Sequence, residues 1–249
     1  AEPDPNLWLL RDCIDGREGW TIVDCGITSD ETRANWERVF AERLDGLPVL
    51  RWRLGEQEYA VTEYGEPFDI GAARVSFHSA GHVLGSSQVR IGDGRRVWVA
   101  SGDYKRQPDP TCAPFEVVPC DTFITEATFA LPIYRWPDTP AVAAEIADWR
   151  RECGERGEAA VLLCYALGKA QRVIALLRQA GYDALIHLHG SAQRLSDYHL
   201  AEGIPLGDLR PATTPKQIEG QVVIAPPSAF ASPWVQRFRD PVISFASGW

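Results

Sequence analysis

Residues 73–103 read ARVSFHSAGHVLGSSQVRIGDGRRVWVASGD, and their pattern decides the fold class. Three short runs, 73–78 (ARVSFH), 87–91 (SQVRI) and 96–101 (RVWVAS), are rich in β-branched and aromatic side chains and read as strands. Gly92-Asp93-Gly94 joins the last two with good hairpin chemistry. Between the first two, Gly81 and Gly85 let the backbone turn tightly and leave His82 at a loop edge. The third run ends in Ser101-Gly102-Asp103. Loops at strand ends are where catalytic groups tend to sit. An imidazole and a carboxylate are both ligands for divalent metals, and a carboxylate can bridge two ions. A second reading stands beside this one: His82 is a plain loop histidine and Asp103 caps a turn bent by Gly102.

Outward from this stretch the elements alternate in a readable way. Toward the N-terminus, 7–11 (LWLLR) and 20–24 (WTIVD) flank the turn-rich DCIDGREG and predict a hairpin. Thr28 and Glu31 then form a capping box, and Trp36, Val39, Phe40 and Leu44 recur at helical spacing. Toward the C-terminus, a Pro-rich stretch at 105–119 leads into a strand at 121–125 (DTFIT). After Pro137 the texture changes. Thr139-Pro140 opens a helix with one face at Val142, Ile146, Trp149 and Cys153. A strand at 160–165 (AVLLCY), a helix at 169–180 and strands at 184–189 and 221–225 follow. Strands alternating with helices predict a parallel sheet with helical crossovers. The chain is therefore expected to have a β-rich first part and an α/β second part, divided near 131–138.

Composition narrows the function classes. With 45% hydrophobic and 24% charged residues the chain is an ordinary globular one. No apolar run approaches the roughly 20 residues that span a bilayer, and AEPDPNLWLL lacks the basic-then-apolar pattern of a signal peptide, so a cytoplasmic protein without a membrane partner is expected. The net charge of −9 disfavours a general-purpose DNA binder but permits a small basic patch. Six cysteines without a CxxC pair read as reduced, mostly buried thiols. The chain contains no Met, which points to a processed, trimmed or designed polypeptide.

Other candidates sit at element ends. Asp24 and Glu126 follow strands as Asp103 does. Gly168-Lys169 opens a helix after a strand, where free amides and a lysine can hold a phosphate, unless the glycine only makes a tight turn. His187 and His189 alternate with Leu188, so they face one side of a strand, either toward a cleft or as buried hydrogen-bonded residues. His78 and His199 read as structural.

The segments FDIGAARVSFHSAGHVLGSSQVRI (68–91), VWVASGDYKRQPDPTCAPFEVVPCDTFITEATFALPIYRWP (97–137), CYALGKAQR (164–172) and APPSA…PW…FASGW (225–249) closely resemble the ligase-associated DNA exonuclease family. The resemblance covers about Leu47 to Trp249. It implies an α/β protein: a metallo-β-lactamase αββα sandwich, incomplete here, at 1–130, with an inserted β-CASP-like parallel α/β domain at 131–241 and residues 242–249 returning to the first domain. It also implies that His82 is a zinc ligand, Asp103 a metal-bridging and catalytic carboxylate, and Glu126 the acidic residue of the first β-CASP motif. His189-Gly190 matches the family's HG and makes His189 a catalytic candidate. Lys105, Arg106, Gly168, Lys169 and Arg172 become the expected phosphate-binding group. Two zinc ions, or manganese, are the implied cofactors. DNA ends or single strands are the implied substrate, with a DNA ligase as partner.

The chain departs from the family pattern in ways that bear on chemistry. The first ~46 residues are similar to general metallo-β-lactamase-fold hydrolases of the glyoxalase II-like group. Where HxHxDH should follow, the sequence runs LDGLPVLRWRLGEQEY, and that motif occurs nowhere in it. Nor does an SDHAD-like segment follow FASGW. Without these motifs His82 and Asp103 are the two aligned ligands, whereas zinc sites use three or four. The expectation is at most one weakly held zinc, impaired or absent nuclease activity, and weak, salt-sensitive DNA binding. A non-catalytic remnant or engineered chimera and a glyoxalase II-like hydrolase are the competing readings.

Overall fold

The computed structural model describes residues 8–14, 17–23, 38, 49–51, 62–213, 218, 220–230, 232–238 and 240–246. Asp24, the expected capping box at Thr28 and Glu31, the apolar face from Trp36 to Leu44, and residues 247–249 lie outside the described residues. Contacts divide the chain into two units. The first comprises Ala1–His78, Gln88–Ala100 and Val118–Ile124; the second comprises Ser79–Ser87, Ser101–Val117 and Thr125–Trp249.

In the first unit, β1 (Trp8–Ile14) and β2 (Arg17–Val23) form the expected hairpin, in antiparallel register from Trp8↔Val23 to Ile14↔Arg17, and β3 (Val49–Arg51) runs parallel to β2. A second sheet follows chain order: β4 (Phe68–Ile70), β5 (Ala73–Ser79), β6 (Ser87–Gly92), β7 (Val97–Ala100) and β8 (Thr122–Ile124). The β6–β7 hairpin closes where Gly92-Asp93-Gly94 predicts it. The Asp93 carboxylate accepts from the Arg95 and Arg96 amides at 2.8 and 2.7 Å, which fixes the turn. β8 runs parallel to β7, and the Asp121 carboxylate accepts from the Val97 amide at 2.8 Å.

The second unit is built on a five-stranded sheet, ordered β11 (Leu209–Pro211), β10 (Ile186–Leu188), β12 (Val222–Ala225), β9 (Ala160–Leu163) and β13 (Val242–Phe245), and every pairing in it is parallel. The predicted crossover architecture is therefore present. The unbroken apolar runs AVLL and VVIA are buried at every position because both sheet faces are covered. On one face Leu162, Ile186, Leu188, Val222 and Ile224 pack against Val173, Ile174 and Leu177; on the other Val161, Leu163 and Val223 pack against Ile218, Val235 and Phe238. Each fully buried Leu or Ile contributes about 1.5–3 kcal/mol.

Among the described residues four helices accompany this sheet: α1 (Thr139–Glu155), α2 (Lys169–Gln179), α3 (Gly190–Ala201) and α4 (Pro233–Gln236). α3 is not legible from periodicity, since its buried face consists of Ala192, Ser196 and His199 and so carries no apolar stripe. One expectation is corrected here. Residues 242–249 were expected to return to the first domain, but Val242–Phe245 pair with β9, from Val242↔Ala160 to Phe245↔Leu163. The register places Ile243 beside Val161, partly buried against the core of this sheet. No helix among the described residues is long and apolar enough to cross a membrane.

Candidate active site

His82 sits in a tight loop that follows β5. The Ser86 hydroxyl accepts from both the His82 and Val83 amides at 3.1 Å, and Ala80 N–H donates to the Ser86 carbonyl at 3.0 Å. Gly81 is obligatory in this loop. It has φ +66, and a Cβ there would lie 2.5 Å from the Lys105 carbonyl oxygen and 2.7 Å from the Phe115 nitrogen. That close approach brings the loop after β7 alongside, with the Lys105 amide donating to the Ala80 carbonyl at 3.0 Å. Asp103 Oδ2 then stands 4.0 Å from His82 Nε2. The two candidates 21 positions apart in sequence thus face each other (103 − 82). Their exposures differ, at 13% for the imidazole and 60% for the carboxylate. Burial lowers the His82 pKa below the ordinary imidazole value, opposed by the Asp103 charge and reinforced by Lys105. The lowered value favours the neutral ring at pH 7.

A cleft of about 610 Å³ opens over this pair, lined by His82, Asp103, Lys105, Arg106, Glu126 and Trp136 among others. Glu126 Oε2 accepts from the Thr128 amide at 2.8 Å, which orients that carboxylate. Arg106 is exposed and has no ion pair among the described residues. His82, Asp103, Glu126, Lys105 and Arg106 are thus brought to one cleft.

Sequence reasoning missed Asp109. Its carboxylate is 3% exposed, holds the Lys105 ammonium in a short ion pair, accepts from Thr111 N at 2.9 Å and Thr111 Oγ1 at 2.6 Å, and lies 3.5 Å from Arg172 Nε. Burial pushes Asp109 upward, but the Lys105 and Thr111 hydrogen bonds outweigh it and hold the carboxyl below the usual range. The available signal was the Lys105–Asp109 spacing within KRQPDPT, which reads in sequence as ordinary loop chemistry. Lys105 and Arg172, expected to bind phosphate, are 7% and 12% exposed and share this buried counter-ion. Burial, with Arg172 and Lys105 nearby, pushes the Lys169 pKa down to about 8.

Two expected site residues serve other purposes. Gly168 was expected to offer a free amide to phosphate. Its amide instead donates to Gln171 Oε1 at 2.8 Å, the Lys169 and Ala170 amides are also spent on backbone carbonyls, and Val83 covers the residue so closely that a Cβ would meet its Cγ1 at 2.2 Å. Gln171, fully buried, also donates to the Ala166 carbonyl and the Ser196 hydroxyl, each at 3.0 Å. The helix start is a locked turn. His189 was expected to be catalytic; it caps α3, with Nδ1 accepting from Ser191 N at 3.2 Å, and its ring packs edge-on to Trp234 at 4.8 Å. It does not line the cleft that holds His82. His187 bonds Gln221 Oε1 at 2.5 Å, while His78 and His199 bond Ser76 Oγ and the Leu195 carbonyl, as structural histidines do.

The fit to zinc follows from the donor set. No group of three or more His, Cys, Asp or Glu side chains converges among the described residues, and His82 with Asp103 supplies two donors where a protein zinc site uses three or four. Burial pushes the Cys112 and Cys164 thiols up to about 11 and about 12, so neither supplies a thiolate at neutral pH. These residues alone do not make a zinc site.

The chain is 28% identical over 207 residues to a probable DNA ligase from Opitutus terrae, covering 81% of the chain and 20% of that protein. It is 34% identical over 131 residues to the transcription termination factor FttA of Methanosarcina mazei, covering 50% and 20%. It is 27% identical over 198 residues to the endoribonuclease ysh1 of Aspergillus fumigatus, covering 78% and 20%. The chain is homologous to β-CASP nucleases of the metallo-β-lactamase fold. It spans about a fifth of the length of these β-CASP relatives. No family model matches the chain. A β-lactamase domain protein from Burkholderia ambifaria aligns at 25% identity with a TM-score of 0.30, over 38% of this chain and 47% of that one. Enzymes of the metallo-β-lactamase family are generally metal-dependent.

Proposed function

We propose that this chain carries the phosphodiester-facing cleft of a metal-dependent nuclease that processes DNA ends in the cytoplasm. The carrying observation is the pairing of His82 Nε2 and Asp103 Oδ2 at 4.0 Å inside a cleft that also holds Glu126 and Arg106. A divalent metal bound there would polarise the phosphoryl oxygen. The chain's own residues do the rest of the positioning. Arg106, exposed and without an ion pair among the described residues, would face a phosphate, and the Ser86 hydroxyl, accepting from the His82 backbone amide, holds the loop that carries the imidazole. With two donors among the described residues, the site by itself would hold at most one zinc, weakly, and degrade nucleic acid little or not at all. Relatives named as a probable DNA ligase, as endoribonucleases and as an RNase support nucleic acid as the substrate class, and the first of these supports a ligase as partner.

The test is metal analysis of protein purified without chelator, paired with degradation assays on end-labelled DNA and RNA in zinc or manganese. The expected result is less than one zinc per chain, removed by dialysis, and no appreciable cleavage of either polymer. Two tightly held metals per chain, with activity lost in His82→Ala and Asp103→Ala, would show that other residues complete the site. Cleavage of RNA in preference to DNA would reassign the substrate.

A further inference from the structure

Beyond the residues that handle phosphate, the cleft has an aromatic wall. Phe129 and Trp136 line it, and Tyr134 completes a three-ring cluster. Phe129 stands edge-on to both partners, with ring centres 5.0 Å from Tyr134 at 79° and 5.2 Å from Trp136 at 88°. Tyr134 and Trp136 are nearly parallel, 16° apart in plane with centroids 6.3 Å apart. Phe129 therefore buttresses two rings whose planes are set before any ligand arrives. Both rings remain well exposed, at 42% and 46%. Leu131 and Ile133 in the same segment are exposed as well.

We infer that this aromatic wall is a stacking platform for unpaired bases at the single-stranded end of a nucleic acid whose phosphates enter the neighbouring cleft. The inference rests on the nuclease reading above and adds the base-binding half of the site. Continuity argues for this occupant, because Trp136 and Phe129 share one cleft with Arg106, His82 and Asp103. Charge argues for it too. Arg106 in the cleft and Arg135, which falls between Tyr134 and Trp136 in the sequence, are exposed, giving the mix of cations and aromatic faces that binds single strands without sequence preference. A duplex buries its base faces against one another and has nothing to offer these rings. Stacking of this kind strengthens binding by roughly 5- to 150-fold per base.

The experiment compares three fluorescein-labelled ligands of equal length on the 249-residue protein at low salt, by anisotropy: oligo-dT, the same backbone made abasic, and a blunt duplex. The expected result is oligo-dT binding about tenfold or more tighter than the abasic strand or the duplex. Trp136→Ala and Tyr134→Ala should each reduce oligo-dT toward the abasic affinity while leaving the abasic affinity unchanged, and Trp136→Phe should retain most of it. Arg106→Ala should weaken both single strands alike, since it reads phosphate. If Trp136→Ala fails to fold, Tyr134→Ala and Trp136→Phe carry the comparison. Equal affinity for oligo-dT and abasic strand, with Arg106→Ala weakening both, overturns the platform and leaves the phosphate cleft standing. Absence of binding by every ligand overturns both. Loss of self-association in the Trp136→Ala variant, with no change in oligo-dT affinity, assigns the wall to a protein contact and overturns the inference.

Discussion

Replacing Asp109 by Asn keeps the shape of the side chain and removes the charge between Lys105 and Arg172. The wild-type carboxylate is 3% exposed and its two cationic neighbours are 7% and 12% exposed, so the variant leaves two buried cations without a counter-ion. Breaking a buried pair in this way costs about 3–5 kcal/mol. Arg172 stays charged at any pH the fold tolerates, so it cannot relieve the loss by giving up a proton. In a unit of this size 1 kcal/mol corresponds to roughly 2–4 °C, so the thermal midpoint should fall by roughly 6–20 °C. Urea unfolding of both proteins at pH 7 measures this directly. A deficit under about 1 kcal/mol would refute the claim that this ion cluster is dry and mutually dependent.

In the wild type, the depressed Asp109 pKa stabilises the fold above the unfolded carboxyl value of ~3.9 and that stability is lost as pH falls through the folded value; an acid titration in which Asp109→Asn loses no less stability than wild type below pH 4 would contradict it. Gly168→Ala should cost at least ~2 kcal/mol, because φ is +75 and the new methyl meets Val83; adding Val83→Ala should restore the steric part and leave about 1–2 kcal/mol of backbone strain, a non-additivity read from denaturation midpoints. Gly81→Ala should displace the His82 loop, seen as loss of the His82 imidazole's zinc-induced shift in NMR spectra; an unchanged shift would show that the loop tolerates a Cβ. Affinity for a single-stranded oligonucleotide should fall steeply between 50 and 200 mM salt, with Arg106→Ala flattening the slope by about one unit; salt-independent binding would count against a phosphate-reading cleft.

The sequence by itself determined the things that local chemistry and periodicity carry. AVLLCY and QVVIA could be read as doubly buried parallel strands because a continuous apolar run has few other homes, and Gly92-Asp93-Gly94 fixed a hairpin through its own turn geometry. His82 and Asp103 were legible as cleft candidates because each stands at the end of a strand beside a glycine. Tertiary structure alone decided the rest. That Asp109 neutralises Lys105 and Arg172 depends on burying a carboxylate between groups 4 and 63 positions away, and nothing in KRQPDPT distinguishes it from a solvated loop acid (109 − 105 and 172 − 109). The helix beginning at Gly190 was hidden because its buried face is small and polar, so the hydrophobic pattern had nothing to report. Gly168 looked like an anion site in sequence, yet its amide was already spent within the capping turn and its surface taken by Val83, a packing partner 85 positions earlier (168 − 83). Strand identity is a property of one segment's own pattern; counter-ions, occluded amides and exposed aromatic faces are properties of what folding brings next to it.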